Sequence, residues 1–273
     1  MEPGEAQTIA QLIGAAGTPG FGVALDALAR RQASFEMSVL LVYSPCRAPY
    51  LIYDGYTDRI SKAALRAYLN GSYLLDPFYL ASINGHADGL WRMRDLAPDS
   101  FFTSDFMCSP DVHPCISTEA GTLAEEVGFL VPIDEGLTAT YSLMRIEDKE
   151  GFSAKDLFAL RAVEPIIAEA IRREWHTRRA SYASPAGSVA DLEARFSSLF
   201  LETLTATQRE VMRLLLRGHS ALSIAMTMGI SEGTAKNHRA NIYKRLRISS
   251  QGELFRLFIE HLHEPEADRA RVS

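Results

Sequence analysis

Residues 204–259 read LTATQREVMRLLLRGHSALSIAMTMGISEGTAKNHRANIYKRLRISSQGELFRLFI, and the capping residues inside this stretch divide it into four helices. Thr205, with Gln208 three positions on, forms a capping box for a helix over residues 206–217, closed by Gly218. Ser220 caps a short helix over residues 221–228 that stops at Gly229. Ser231 caps a third over Glu232–Leu246, and Ser250 with Glu253 boxes a fourth that runs to about residue 261. Only Gly229, Ile230 and Ser231 separate the second helix from the third. So short a break makes two helices cross steeply, which is the turn of a helix-turn-helix.

The third helix decides what such a module does. Ala235, His238 or Arg239, Ile242 and Leu246 recur at three- and four-residue spacing and form an inward stripe. The opposite face carries Gly233, Lys236, Asn237, Ala240, Asn241 and Lys244, with no carboxylate after Glu232. Such a face suits the major groove, where Lys donates to guanine and Asn pairs with adenine through two hydrogen bonds. The competing reading is a solvated face on an ordinary helix bundle. Charge separates the two. The chain as a whole carries −6, but residues 204–259 hold nine basic and three acidic side chains, a local +6 that leaves −12 for the remainder. A basic module on an acidic body is the asymmetry expected when one domain meets phosphate and the other does not.

The same stretch resembles the LuxR/FixJ-type DNA-binding domain over its whole length. The likeness rests on the LT…RE opening, the RG before the second helix, IA…GIS, the T-x-K-x-H run at Thr234–His238 and the closing RLRI-SS-x-x-EL. It implies that Glu232–Leu246 is the recognition helix, with Lys236 and Asn237 at base-reading positions. The DNA-contacting set expected from helix and resemblance together is Thr234, Lys236, Asn237, Arg239, Ala240, Asn241 and Lys244. Ala240 departs from the polar or basic residue common there and offers only apolar contact to a thymine methyl. The partners expected are double-stranded DNA with a palindromic operator, a second copy of the chain and RNA polymerase. Two-fold pairing would place recognition helices about 34 Å apart. The long helix described below and the last helix are the expected pairing surfaces.

The remaining residues read as a mixed α and β domain. At 273 residues the chain fits two domains, and 47% hydrophobic with 23% charged residues is ordinary for soluble globular protein. No apolar run approaches the roughly 20 residues that span a bilayer. No basic segment precedes the first apolar residues, so a secretory signal is not expected. Cys46, Cys108 and Cys115 form no dense framework, as in a reducing cytoplasm. Residues 37–43 and 50–53 are β-rich runs around SPCRAP, residues 61–70 read as a helix closed by Gly71, and residues 128–133 and 137–145 form a hairpin across Asp134-Glu135-Gly136. Residues 152–179 read as a long amphipathic helix capped by Ser153 with Asp156, which Pro165 should kink unless another contact replaces the lost hydrogen bond. Residues 180–190, ASYASPAGSVA, have linker chemistry. The pattern suggests an α+β chain: an α+β sandwich at 1–179, which the resemblance given next implies to be an α-β-α sandwich sensor, a linker at 180–200, an all-α four-helix DNA-binding domain at 201–263 and a tail at 264–273.

What gates such a module is less legible. A phosphoacceptor receiver would need an acidic pair after its first strand, and SVLLVYSPC supplies none. Asp76-Pro77, Trp91, the run GFLVPI at residues 128–133 and YSL at 141–143 stand in the order of an autoinducer-binding domain, a sandwich akin to GAF and PAS sensors. The resemblance implies a pocket in which Asp76 accepts the ligand amide N–H, Trp91 forms a wall and Ser142 supplies a hydroxyl. Tyr68 and Tyr73 lie near family tyrosine positions, each one residue closer to the aspartate, and Tyr53 and Tyr56 either join the pocket or cover the sheet. Asp76 equally reads as a helix N-cap, and Trp91 as plain core. The tryptophan expected some 12–13 residues before the aspartate is absent, the region reading Lys62-Ala63-Ala64-Leu65. That departure points away from an acyl-homoserine lactone and toward a different small molecule or none.

Cys108, Asp111, His113 and Cys115 gather in a Pro-containing loop, within a stretch 101–122 longer than usual. Their spacing matches no zinc pattern, so a loop or lid is expected there rather than a metal site. No nucleophile elbow, phosphate loop or paired metal motif appears, so neither catalytic residues nor a cofactor are expected. A protein-interaction or dimerisation role for the first domain stays open beside the small-molecule one.

Overall fold

The computed structural model describes residues 3–45, 47–56, 62–103, 123–146, 150–181 and 200–263. In β1 (Met37–Ser44) every residue is buried, because both faces of the strand are covered. Met37, Val39, Leu41 and Tyr43 enter one core while Leu40 and Val42 enter another. That division is the two-residue period of a strand made visible. β2 (Arg47–Gly55) pairs antiparallel with β1 on one side, and β5 (Leu137–Ile146) pairs antiparallel on the other. β4 (Leu123–Asp134) and the short β3 (Gly89–Arg92) complete a five-stranded antiparallel sheet in the order β2-β1-β5-β4-β3. Gly136, at φ +68°, takes the left-handed position in the β4–β5 turn.

Helices cover both faces. α1 (Pro3–Ala15), α2 (Phe21–Arg30) and α6 (Ala154–Arg178) share a core with Leu40, Val127, Phe129, Tyr141 and Leu143. On the other face lie α3 (Lys62–Leu69), α4 (Pro77–Ile83) and the one-turn α5 (Met93–Leu96). This is the α-β-α sandwich that the resemblance implies, and the chain is α+β. The first two helices are an addition to the expectation. α6 begins as read: Ser153 Oγ accepts from the Asp156 N–H at 3.1 Å, and the Ser153 N–H donates to the Asp156 carboxylate at 2.9 Å. The helix continues through Pro165, whose ring lies on the exposed side. Among the described residues, no helix is long and apolar enough to cross a membrane.

The C-terminal part contains α7 (Ala206–Leu216), α8 (Ala221–Met228), α9 (Glu232–Leu246) and α10 (Gln251–His263). Thr205 and Gln208 form the expected box, and Ser220 and Ser231 cap α8 and α9. Gly229, at φ +65°, closes α8 in the left-handed conformation that a residue with a Cβ resists. One cap differs. Ser250 Oγ does accept from the Glu253 N–H at 3.1 Å, but the Glu253 carboxylate reaches past Ser250 to the Ser249 N–H at 2.6 Å. It is therefore not a reciprocal box.

The two parts meet along residues 99–101. The Ser220 N–H donates to the Asp99 carboxylate at 2.9 Å, and the Ser220 hydroxyl donates to it as well. The Ser100 N–H donates to the Gly218 carbonyl at 3.1 Å. Phe101 is buried, and its Cα would stand 2.8 Å from a Cβ placed on Gly218. The sequence-predicted linker at 180–200 lies almost wholly outside the described residues, as do the tail 264–273 and Cys108, Asp111, His113 and Cys115.

Candidate nucleic-acid interface

α9 turns two very different faces outward and inward. Ala235 and Ile242 are buried against the other C-terminal helices, with His238 and Leu246 half-buried beside them. This resolves the alternative left open by the sequence: His238 belongs to the inward stripe and Arg239 points out. Thr234, Lys236, Asn237, Arg239, Ala240, Asn241 and Lys244 are all exposed. Lys236 Nζ pairs with the Glu232 carboxylate at 2.7 Å, one helical turn back. Both partners are more than two-fifths exposed, so the pair contributes only a few tenths of a kcal/mol, about 0.5 at most, and yields readily to a stronger anion. Thr234 shares its hydroxyl with Ser231 at 2.8 Å, which ties it to the start of the helix. Arg245 is structural: it donates to the Thr203 carbonyl at 3.0 Å and to Gln208 at 3.2 Å, pinning α9 to α7.

Of the residues expected to line a pocket, Tyr68 and Tyr73 gather around Asp76. Its φ and ψ are extended, and its carboxylate accepts from the Phe78 N–H at 2.7 Å, so Asp76 is the N-cap of α4, with Pro77 in the first turn. The same carboxylate accepts from the Tyr68 hydroxyl at 2.5 Å, and Tyr43 reaches Tyr68 at 2.5 Å and Asp76 at 3.5 Å. Burial, reinforced by the charge of Asp76, pushes both tyrosine hydroxyls well above their ordinary range and keeps them as donors. Tyr79 packs edge-on against both Tyr43 (5.5 Å) and Tyr73 (4.9 Å). Tyr43 and Tyr79 were not singled out from the sequence. The signal for Tyr43 was its parity with Met37, Val39 and Leu41 along β1.

The other expected residues divide. Ser142 stands opposite Val39 and Gly128 in the sheet, on the face that carries Asp76. Gly128 is there because Phe78 would lie 2.7 Å from any Cβ. Tyr56 also packs on this side, half-buried. Tyr53 does not. It covers α2 on the opposite face, where it donates to Asp26 at 3.3 Å. Desolvation, with the charge of Asp26, pushes its hydroxyl up to about 12. Trp91 sits at the sheet edge, half-buried, with its indole N–H on the Ala87 carbonyl at 2.9 Å and His86 edge-on at 4.3 Å. A cavity of about 330 Å³ opens nearby along Met93, Arg94, Phe102 and the strand from Leu123 to Glu126, and Asp76, Tyr68 and Tyr73 are not among its lining.

Known proteins match both parts. The family described as "Bacterial regulatory proteins, luxR family" matches residues 202–258. An Aeromonas salmonicida protein described as an HTH-type transcriptional regulator in the exeN 3'region is 32% identical over 193 residues, covering 68% of this chain and 94% of that one. The transcriptional regulatory protein MctR of Rhizobium johnstonii is 37% identical over 60 residues, 22% of this chain and 28% of its own. In fold, the LBD domain of VqsR from Pseudomonas aeruginosa aligns at a TM-score of 0.55 and 21% identity, over 66% of this chain and 99% of that structure. The chain belongs to the luxR family of bacterial regulatory proteins, which are DNA-binding transcriptional regulators and not enzymes.

Proposed function

We propose that α9 is the recognition helix and that Thr234, Lys236, Asn237, Arg239, Ala240, Asn241 and Lys244 face the major groove. The observation that carries this is the continuous exposed row on α9, which holds two lysines, an arginine and two asparagines. The Glu232–Lys236 pair holds the lysine in place until a base or phosphate replaces the carboxylate. Lys236→Ala should weaken binding to a duplex selected by the full chain by about 1–3 kcal/mol, with much less loss on scrambled DNA. Equal loss on both duplexes would make Lys236 a phosphate contact and remove it from the base-reading set.

The same reading takes residues 1–179 as the sensor, 180–200 as the linker and 201–263 as the DNA-binding domain, acting as a homodimer on a palindrome in the cytoplasm, with RNA polymerase as a further partner. Support for pairing comes from an apolar groove of about 360 Å³ between α1 and α6, bordered by Ile9, Ile13, Pro165 and Ile166. Phe158 stands exposed on the same long helix. For the sensor, a small-molecule effector is the first reading, with Asp76 as its acceptor and Tyr56, Tyr68, Tyr73, Trp91 and Ser142 around it. Tyr53 is left out because it serves the other core. Such an effector must displace the Tyr68 hydroxyl, so it needs an N–H or O–H donor of its own. A specific observation favours the second reading, a domain that works without an effector: Asp76 is already satisfied by two hydroxyls and a backbone N–H. Native mass spectrometry of the chain purified from its own host separates them. A co-purifying small molecule lost in Asp76→Asn supports the first, and a bare chain that binds DNA supports the second.

A further inference from the structure

Asp99, Ser100 and Phe101 belong to the sensor half, yet each is matched to the turn between α7 and α8, more than a hundred residues away. In a helix-turn-helix the second helix enters the major groove while the first crosses the phosphate backbone, and a helix N-terminus supplies free N–H groups for an anion. α8 is that first helix, and Ser220 is its N-cap. The anion seated there is the Asp99 carboxylate, held by both the backbone N–H and the hydroxyl of Ser220. These hydrogen bonds outweigh the opposing effect of partial burial and hold Asp99 below its ordinary carboxylate range. Phe101, buried against Gly218, brings the bulk of the sensor to the same corner. Gly218 is at φ +86°, and its missing side chain is what lets the two parts close.

We propose that residues 99–101 form an autoinhibitory latch in which the Asp99 carboxylate occupies the place of a DNA phosphate at the start of α8. The latch leaves the α9 face exposed but keeps the backbone of a duplex from settling against α8, so DNA binding requires the sensor to swing away. The sensor side is connected to the Asp76 cluster. Pro77, Leu80 and Ala81 of α4, the helix that Asp76 caps, and Asn84 just after it line a cavity of about 290 Å³ whose other walls include Pro98 and His219. A shift of α4 therefore reshapes the cavity that borders the latch. The inference rests on the reading of α8 and α9 as the DNA-binding pair.

The test uses the full chain and a duplex it selects from a random library. Asp99→Asn and Phe101→Ala should each tighten binding about tenfold, since a closed state lowers apparent affinity by the fraction it occupies. Asp95→Asn, an exposed acid four residues away without the Ser220 contact, should change little and controls for charge alone. A disulfide between Asp99→Cys and Ser220→Cys, with the native cysteines replaced by serine, should abolish binding when oxidised and restore it on reduction. Unchanged or weaker binding by Asp99→Asn, or a locked chain that binds as well as the reduced one, overturns the latch. If Lys236→Ala in the same assay also leaves binding intact, the DNA-binding assignment of α9 has failed with it. If Lys236→Ala weakens binding, only the latch has failed.

Discussion

The outward face of α9 and the Asp76 cluster are both rows of polar side chains, and they behave in opposite ways. On α9 the groups are exposed, and their one internal ion pair is a surface pair that water and salt screen. Around Asp76 the residue is 5% exposed and Tyr43 and Tyr68 are 2% exposed, and the hydroxyls of these two tyrosines are bonded to each other and to the carboxylate inside the protein. The first arrangement keeps its hydrogen-bonding capacity for another molecule. The second has spent it on its own fold. Polar residues alone do not announce a binding site; what matters is whether their partners are already inside the chain.

Substitutions can break that contrast. Asp76→Ala should be the most damaging, because it removes the α4 cap and strands two buried hydroxyls and an N–H. A loss of about 3 kcal/mol is expected, visible as a lower urea midpoint. A loss below about 1 kcal/mol would mean that water reaches the cluster and that it is not closed. Tyr68→Phe takes one donor from the same carboxylate and should cost about 1 kcal/mol in the same measurement. Glu232→Gln tests the exposed side. Stability should shift by less than about 0.5 kcal/mol, while DNA binding tightens modestly as Lys236 is released. A stability loss as large as that of Tyr68→Phe would erase the distinction between the two regions.

How much could be read in advance follows the same division. The four C-terminal helices were legible nearly to the residue, because Thr205, Ser220, Ser231 and Gly229 act on backbone groups within four positions of themselves. The β4–β5 hairpin and α6 were legible for the same local reason. The Ser250–Glu253 box is only half formed, because the Glu253 carboxylate takes the Ser249 N–H. The expected pocket was half legible. Asp76, Tyr68 and Tyr73 do come together, but Tyr53 falls on the wrong face and Tyr43 was overlooked, since the face a strand residue takes depends on register with neighbouring strands.

Sequence by itself determined the helical boundaries, the basic asymmetry, and the outward row on the third C-terminal helix. Those are consequences of short-range hydrogen bonding and of a fixed period. Only the tertiary structure decided that Asp76 is enclosed by tyrosines from two other elements, and that Asp99 meets Ser220 across 121 residues. Contacts between distant segments depend on how whole layers pack, and no local pattern of residues encodes that.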